Sequence, residues 1–112
     1  MEQIEVGEYV RDCDGFIVKV KEIQEYKEDD DFWYQEKTLK GTWKSMVVKH
    51  SKNIIDLIEV GDYVNGRKVK HIRDYEDFKR LDFDDDMDDT IYAEQIYSIV
   101  TKEQFTSMEY KV

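Results

Sequence analysis

IEVGDYVNG, Ile58–Gly66, repeats the start of the chain, where Ile4–Val10 reads IEVGEYV. Over the seven shared positions six are identical, and the seventh exchanges Glu8 for Asp62. Further matches follow in the same order. VKEIQEY (Val20–Tyr26) aligns with VKHIRDY (Val69–Tyr75), and Ser51-Lys52-Asn53 aligns with Thr101-Lys102-Glu103. The offset falls from 54 residues in the first match to 49 in the second, so the first hairpin carries five extra residues. A short-period repeat of this kind predicts two like units, residues 1–57 and 58–112, rather than one seamless domain.

Each unit has the punctuation of a small β-structure. Gln3–Val10 alternates as a half-buried strand interrupted by Gly7, with Ile4, Val6 and Val10 on one face. Asp14-Gly15 predicts a hairpin turn, and Asn65-Gly66 predicts a tighter one because both residues tolerate positive φ. Phe16–Ile23 is rich in β-branched residues and predicts a long strand. Further strands are expected at Phe32–Lys37, Trp43–Lys49, Phe78–Phe83 and Ile91–Val100. Ser51 and Thr101 suit helix N-caps, and Thr101-x-x-Gln104 has the form of a capping box, so a short helical turn should close each unit. Ile58–Val60 then reads as the joint where the last strand of one unit becomes the first of the next, with Val60 and Val64 facing packed interiors. The expected fold is mainly β: two tandem small Src-homology-3-like barrels, each of about five strands and a short helical turn. One continuous sheet across both halves is the competing arrangement.

Charge narrows the function. The 112 residues carry a formal net charge of −10, while 13% are aromatic and none is proline. The aromatic content argues for packed cores in spite of the charge. Acidity on this scale disfavours nucleic acid and anionic membrane surfaces, which attract positive charge, and favours a basic partner. A lone Cys13 excludes an intramolecular disulfide and suggests a reducing compartment. No basic-then-apolar leader and no apolar run of membrane-spanning length is visible, so a cytoplasmic protein is expected.

Two acidic stretches stand out. LDFDDDMDD, Leu81–Asp89, contains Asp82, Asp84, Asp85, Asp86, Asp88 and Asp89. Four of these alternate as the first ligands of an EF-hand loop do, but Met87 stands where that loop needs Gly and Ala93 where it needs Glu. The second stretch is Glu28, Asp29, Asp30 and Asp31, read as the corresponding loop of the first unit. These ten residues are the expected partner-contact surface, able to imitate the phosphate spacing of DNA in a basic channel, or else simply to solvate two hairpins. Between them, Lys37–Ile55 contains five Lys and no acid, with Trp33, Tyr34 and Trp43 within or beside it. That pattern offers a weak nucleic-acid surface as an alternative. His50, His71 and Cys13 lack zinc-ligand spacing, no phosphate-binding Gly loop occurs, and no nucleophile–base pair stands out. No enzyme activity, cofactor or metal is expected.

GEYVRDCDGFIVKV and GDYVNGRKVKHI resemble the Gly-acid-x-Val, turn, Val-x-x-Ile pattern of KOW-type small barrels, which implies the fold rather than a function. HSKNIIDLIEVGDYVNG and SIVTKEQFTSMEYKV are similar to segments of small phage and prophage proteins of Gram-positive bacteria, a likeness covering about a third of the chain. Small acidic phage proteins include inhibitors of host defences, anti-CRISPR proteins among them. By analogy of size, charge and origin, the resemblance implies a protein that blocks a basic host protein such as a CRISPR effector nuclease. A structural or regulatory phage module acting by self-association is the other reading.

Overall fold

A computed structural model describes residues 3–38, 40–85 and 91–108. The chain is mainly β and divides into two compact units between Leu57 and Ile58. No described helix is long and apolar enough to cross a membrane.

The first unit contains β1 (Tyr9–Asp12), β2 (Ile17–Lys19), β3 (Glu22–Tyr26), β4 (Asp31–Lys37), β5 (Lys40–Trp43) and β6 (Val47–Ser51). A 3₁₀ turn at Lys44–Met46 joins β5 to β6, and another at Ile54–Leu57 closes the unit. Its strands form two antiparallel three-stranded sheets, β2-β1-β6 and β3-β4-β5. Phe16–Ile23 is therefore not one strand. At its middle the Val20 amide donates to Glu8 O in one sheet and the Lys21 amide to Gln35 O in the other, so the chain bends there to pass between them. Trp43–Lys49 is not one strand either, because the 3₁₀ turn separates β5 from β6. Ile4, Val10, Val18, Val20, Tyr34 and Val47 make the core, with Ile23 and Phe32 packed on it.

The second unit contains β7 (Tyr63–Val64), β8 (Arg67–Asp74), β9 (Lys79–Phe83), a 3₁₀ turn at Ala93–Gln95, β10 (Ile99–Val100) and helix α1 (Lys102–Met108). Its sheet order is β10-β7-β8-β9. Ile91–Val100 is thus a turn ending in a two-residue strand rather than a long strand. Ile58, Val64, Val69, Leu81, Phe83 and Ile91 are its buried apolar residues. Asn65 and Gly66 have φ of 52° and 80°, which gives the tight hairpin expected of that pair. Thr101 Oγ1 accepts from the Gln104 amide and Gln104 Oε1 from the Thr101 amide, so the capping box forms. Among the described residues no sheet closes into a barrel.

The repeat is matched bond for bond. Gly7 N donates to Val20 O at 2.8 Å and Gly61 N to Val69 O at 3.0 Å. Val20 N donates to Glu8 O and Val69 N to Asp62 O, both at 2.8 Å. Glu8 Oε2 accepts from Glu5 N at 2.6 Å, and Asp62 Oδ2 from Glu59 N at 2.7 Å. The two glycines have φ of 99° and 98°, a conformation costly for any residue with a Cβ. These turns correct two expectations. Gln3–Val10 forms a strand only from Tyr9, and Ile58–Val60 forms none, because the turn before each Gly breaks the alternation. Val6 and Val60 consequently point outward, 59% and 52% exposed, while Val10 and Val64 are fully buried.

Candidate functional site: an acidic turn beside an aromatic sheet face

The residues expected to contact a partner fall into different environments. Glu28, Asp29 and Asp30 lie together in the turn between β3 and β4, all exposed. Asp29 N donates to Tyr26 O and Asp30 N to Lys27 O, and Asp30 takes φ 50°. Their carboxylates have no hydrogen bond or ion pair among the described residues, so the turn holds three charges open to solvent. Asp31 is different. Its Oδ2 accepts from Ser45 Oγ at 2.7 Å, and its Oδ1 from Phe32 N at 2.8 Å and Ser45 N at 3.2 Å. Burial pushes this carboxyl up, but those hydrogen bonds and nearby Lys44 outweigh it and hold the group below its ordinary 3.8. Asp31 fastens the Lys44–Met46 turn and is not a free contact residue.

In the second unit Asp82 sits on β9, not in a loop, and alternation sends it away from buried Leu81 and Phe83. It accepts from Arg73 Nε at 2.7 Å and lies 3.3 Å from Arg80 Nε. Asp85 is held bidentately by Arg67, at 2.5 and 2.9 Å, and that guanidinium lies 4.1 Å from the centre of the Phe83 ring. Asp84 is exposed. Asp86, Asp88 and Asp89 lie outside the described residues. Among the described residues no group of three or more His, Cys, Asp or Glu is placed to hold a metal ion.

The strand registers also change which loops correspond. Ile23 pairs with Tyr34 and Ile72 with Leu81, so β3-β4 matches β8-β9. The counterpart of the Glu28–Asp31 turn is therefore Tyr75–Phe78, closed by a Tyr75 N to Phe78 O bond, and not the stretch after β9. This corrects the sequence alignment, which was misled by Asp content where no matching apolar residue fixed the frame. The true counterpart is also acidic. Glu76 and Asp77 are exposed, and among the described residues their side chains have no ion pair.

No known family, curated protein or solved structure matches this chain.

Beside the first acidic turn lies a feature that the sequence only partly signals. Strand alternation puts Tyr34 into the core and Trp33 on the opposite face of β4. Trp33 pairs across strands with Trp43, their rings edge-to-face at 5.0 Å, and Tyr26 meets Trp43 edge-to-face at 5.1 Å. The Tyr26 hydroxyl donates to Gln24 Oε1 at 2.8 Å. The face exists because position 41 is Gly. A Cβ there would come within 2.5 Å of the Trp33 ring and 2.6 Å of Tyr34 O. The Lys/Trp segment is thereby divided between surfaces: Lys44 Nζ lies 4.9 Å from the Phe32 ring centre, Lys40 pairs with Glu36, and Lys52 lies 3.9 Å from Glu5.

Two residues of the repeat carry chemistry that sequence reading passed over. Glu8 is 7% exposed and Asp62 fully buried. Glu8 Oε1 lies 2.9 Å from His50 Nδ1, whereas Asp62 Oδ1 accepts from the Lys102 amide at 2.9 Å, at the start of α1. The longer side chain reaches a neighbouring side chain on β6; the shorter one reaches a helix terminus. Both acids are structural clasps. Their identical place directly after the repeated IEVG was the available signal.

Proposed function

We propose that this chain is a non-enzymatic, phage-derived acidic protein that binds and inhibits a basic nucleic-acid-handling protein in the cytoplasm of a bacterial host. An RNA-guided CRISPR nuclease is the partner to test first. The observation that carries this reading is the concentration of open carboxylates in matched hairpin turns, Glu28–Asp30 in one unit and Glu76–Asp77 in the other. Paired acids such as Asp82 and Asp85 spend their charge inside the molecule, while these five project a negative field that a cationic channel would meet. The net charge of −10 points the same way.

The fold part of the proposal is a tandem of open Src-homology-3-like units. Supporting it, the first unit pairs its first strand with its last, passes from one sheet to the other between β2 and β3, and places a 3₁₀ turn before the last strand. The test is to mix purified protein with CRISPR effector nucleases at low ionic strength and follow complex formation and target-DNA binding. A stable complex with lost DNA binding is expected. No complex with any effector would rule out this partner, and self-association detected by light scattering without a host partner would favour a structural phage module.

A further inference from the structure

We infer that the outward face of β3-β4-β5, formed by Tyr26, Trp33 and Trp43 beside the Glu28–Asp30 turn, is the contact surface of the first unit and receives an arginine-bearing basic segment of the partner. The inference rests on the proposed basic partner and says where and by what chemistry it is held.

The comparison between the units isolates this face. Gln24 pairs with Trp33 on β4, and Arg73, 49 residues after Gln24, pairs with Arg80 on β9. The same position of the same hairpin is Trp in one unit and Arg in the other. Around Arg80, the second unit fills the middle of its outward face with the Arg73–Asp82–Arg80 charge cluster and keeps aromatics only at the turn, where Tyr75 stacks on Phe78, while its inward positions keep the buried apolar pattern. A unit of this design therefore does not need tryptophans on its outer face to fold. Placing two there, half-buried, set edge-to-face and seated over a glycine, puts an apolar platform on a surface that could have been charged. Tyr and Trp in such settings dominate binding energy at protein interfaces.

Charge complementarity selects the occupant. Directly beyond Tyr26 the turn presents Glu28, Asp29 and Asp30 against the single Lys27. A guanidinium can lie on an aromatic ring and still donate its in-plane N–H groups to carboxylates, which an ammonium does less well. The far end of the face carries exposed Lys37, with Lys40 paired to Glu36, and the open carboxylates lie at the turn, so the guanidinium belongs at the Tyr26 end.

The test uses the full chain with an oligo-arginine and an oligo-lysine peptide of equal length, read by tryptophan fluorescence and titration calorimetry. Oligo-arginine should bind more tightly than oligo-lysine and change the tryptophan emission. Trp33→Gln should weaken it about tenfold, and Trp33→Arg, which installs the residue of the matched strand, at least as much. Tyr97→Gln, at an 82%-exposed site of the second unit, should change nothing. Circular dichroism establishes that each variant is folded, and two replacements at position 33 guard against one that is not. Equal binding of both peptides, unaffected by either Trp33 variant, would overturn the face while leaving a basic partner in place. Failure of both peptides together with failure of the nuclease complex would remove both proposals. Tighter binding of a single-stranded DNA oligonucleotide than of oligo-arginine, lost in Trp33→Gln, would reassign the face to nucleic acid. A dimer lost in the same variant would reassign it to a second copy.

Discussion

Glu8 and Asp62 occupy one position of the repeat and solve one problem, the capping of a turn amide three residues back, with different second partners. Burial pushes the Glu8 carboxyl up, but hydrogen bonds from His50 and the Glu5 amide, with the charge of Lys52, outweigh it and leave the group below its ordinary 4.5. A depressed carboxylate stabilises the fold above its unfolded value and loses that contribution as pH falls through the folded one. Glu8→Gln should therefore cost about 1–2 kcal/mol at neutral pH, and the gap to the parent protein should close as the solution is acidified below 4.5. Denaturant titrations across that range would check it; a gap that widened with acid would contradict the assignment. Asp62 gives a sterner case, because both its oxygens accept backbone N–H groups and none is left for solvent. Asp62→Asn turns an amide N–H₂ toward one of those donors and should cost about 2–3 kcal/mol, measurable as a lowered urea midpoint.

At the scale of elements, β5 is legible only in hindsight. Lys37–Lys40 holds no Gly-Asn or Gly-Asp turn signal, and Gly41 looks like a loop residue in sequence although it lies in a strand under Trp33. Gly41→Ala drives a Cβ into the Trp33 ring and a backbone carbonyl. It should destabilise the protein by about 1–3 kcal/mol and shift tryptophan emission, whereas unchanged fluorescence would mean the ring does not rest there. Helix α1 was better signalled. Its capping box is written in Thr101 and Gln104, and Phe105 stacks on Tyr63 at 4.7 Å to fix it against β7. Thr101→Ala should cost about 1 kcal/mol and speed hydrogen exchange in the helix before anywhere else.

For the whole molecule, acidity is distributed unevenly, and only part of it is available to a partner. Replacing Glu28, Asp29 and Asp30 together by Gln, Asn and Asn touches no ion pair among the described residues. Stability should stay within about 0.5 kcal/mol, while capture of a basic partner weakens and becomes less salt-dependent. A large loss of stability would show that the turn serves the fold, and unchanged capture would show that the charge there is only solvating.

The sequence by itself determined the duplication, the Asn65-Gly66 reversal, the capping box and the mainly β class, because each depends on backbone preferences expressed within a few residues. Burial of Val10 and Val64 was legible through the repeated motif, whereas Val6 and Val60, read inward by the same alternation, are exposed. Tertiary structure alone decided where the IEV turns break their strands, since the Gly7 and Gly61 amides donate to carbonyls 13 and 8 residues away in sequence. It alone decided which carboxylates are paired and which are open, because an Asp is neutralised only when folding brings an Arg to it. And it alone put Tyr34 inside and Trp33 and Trp43 outside on one sheet. Strand alternation separates adjacent residues onto two faces, but only packing says which face is the core.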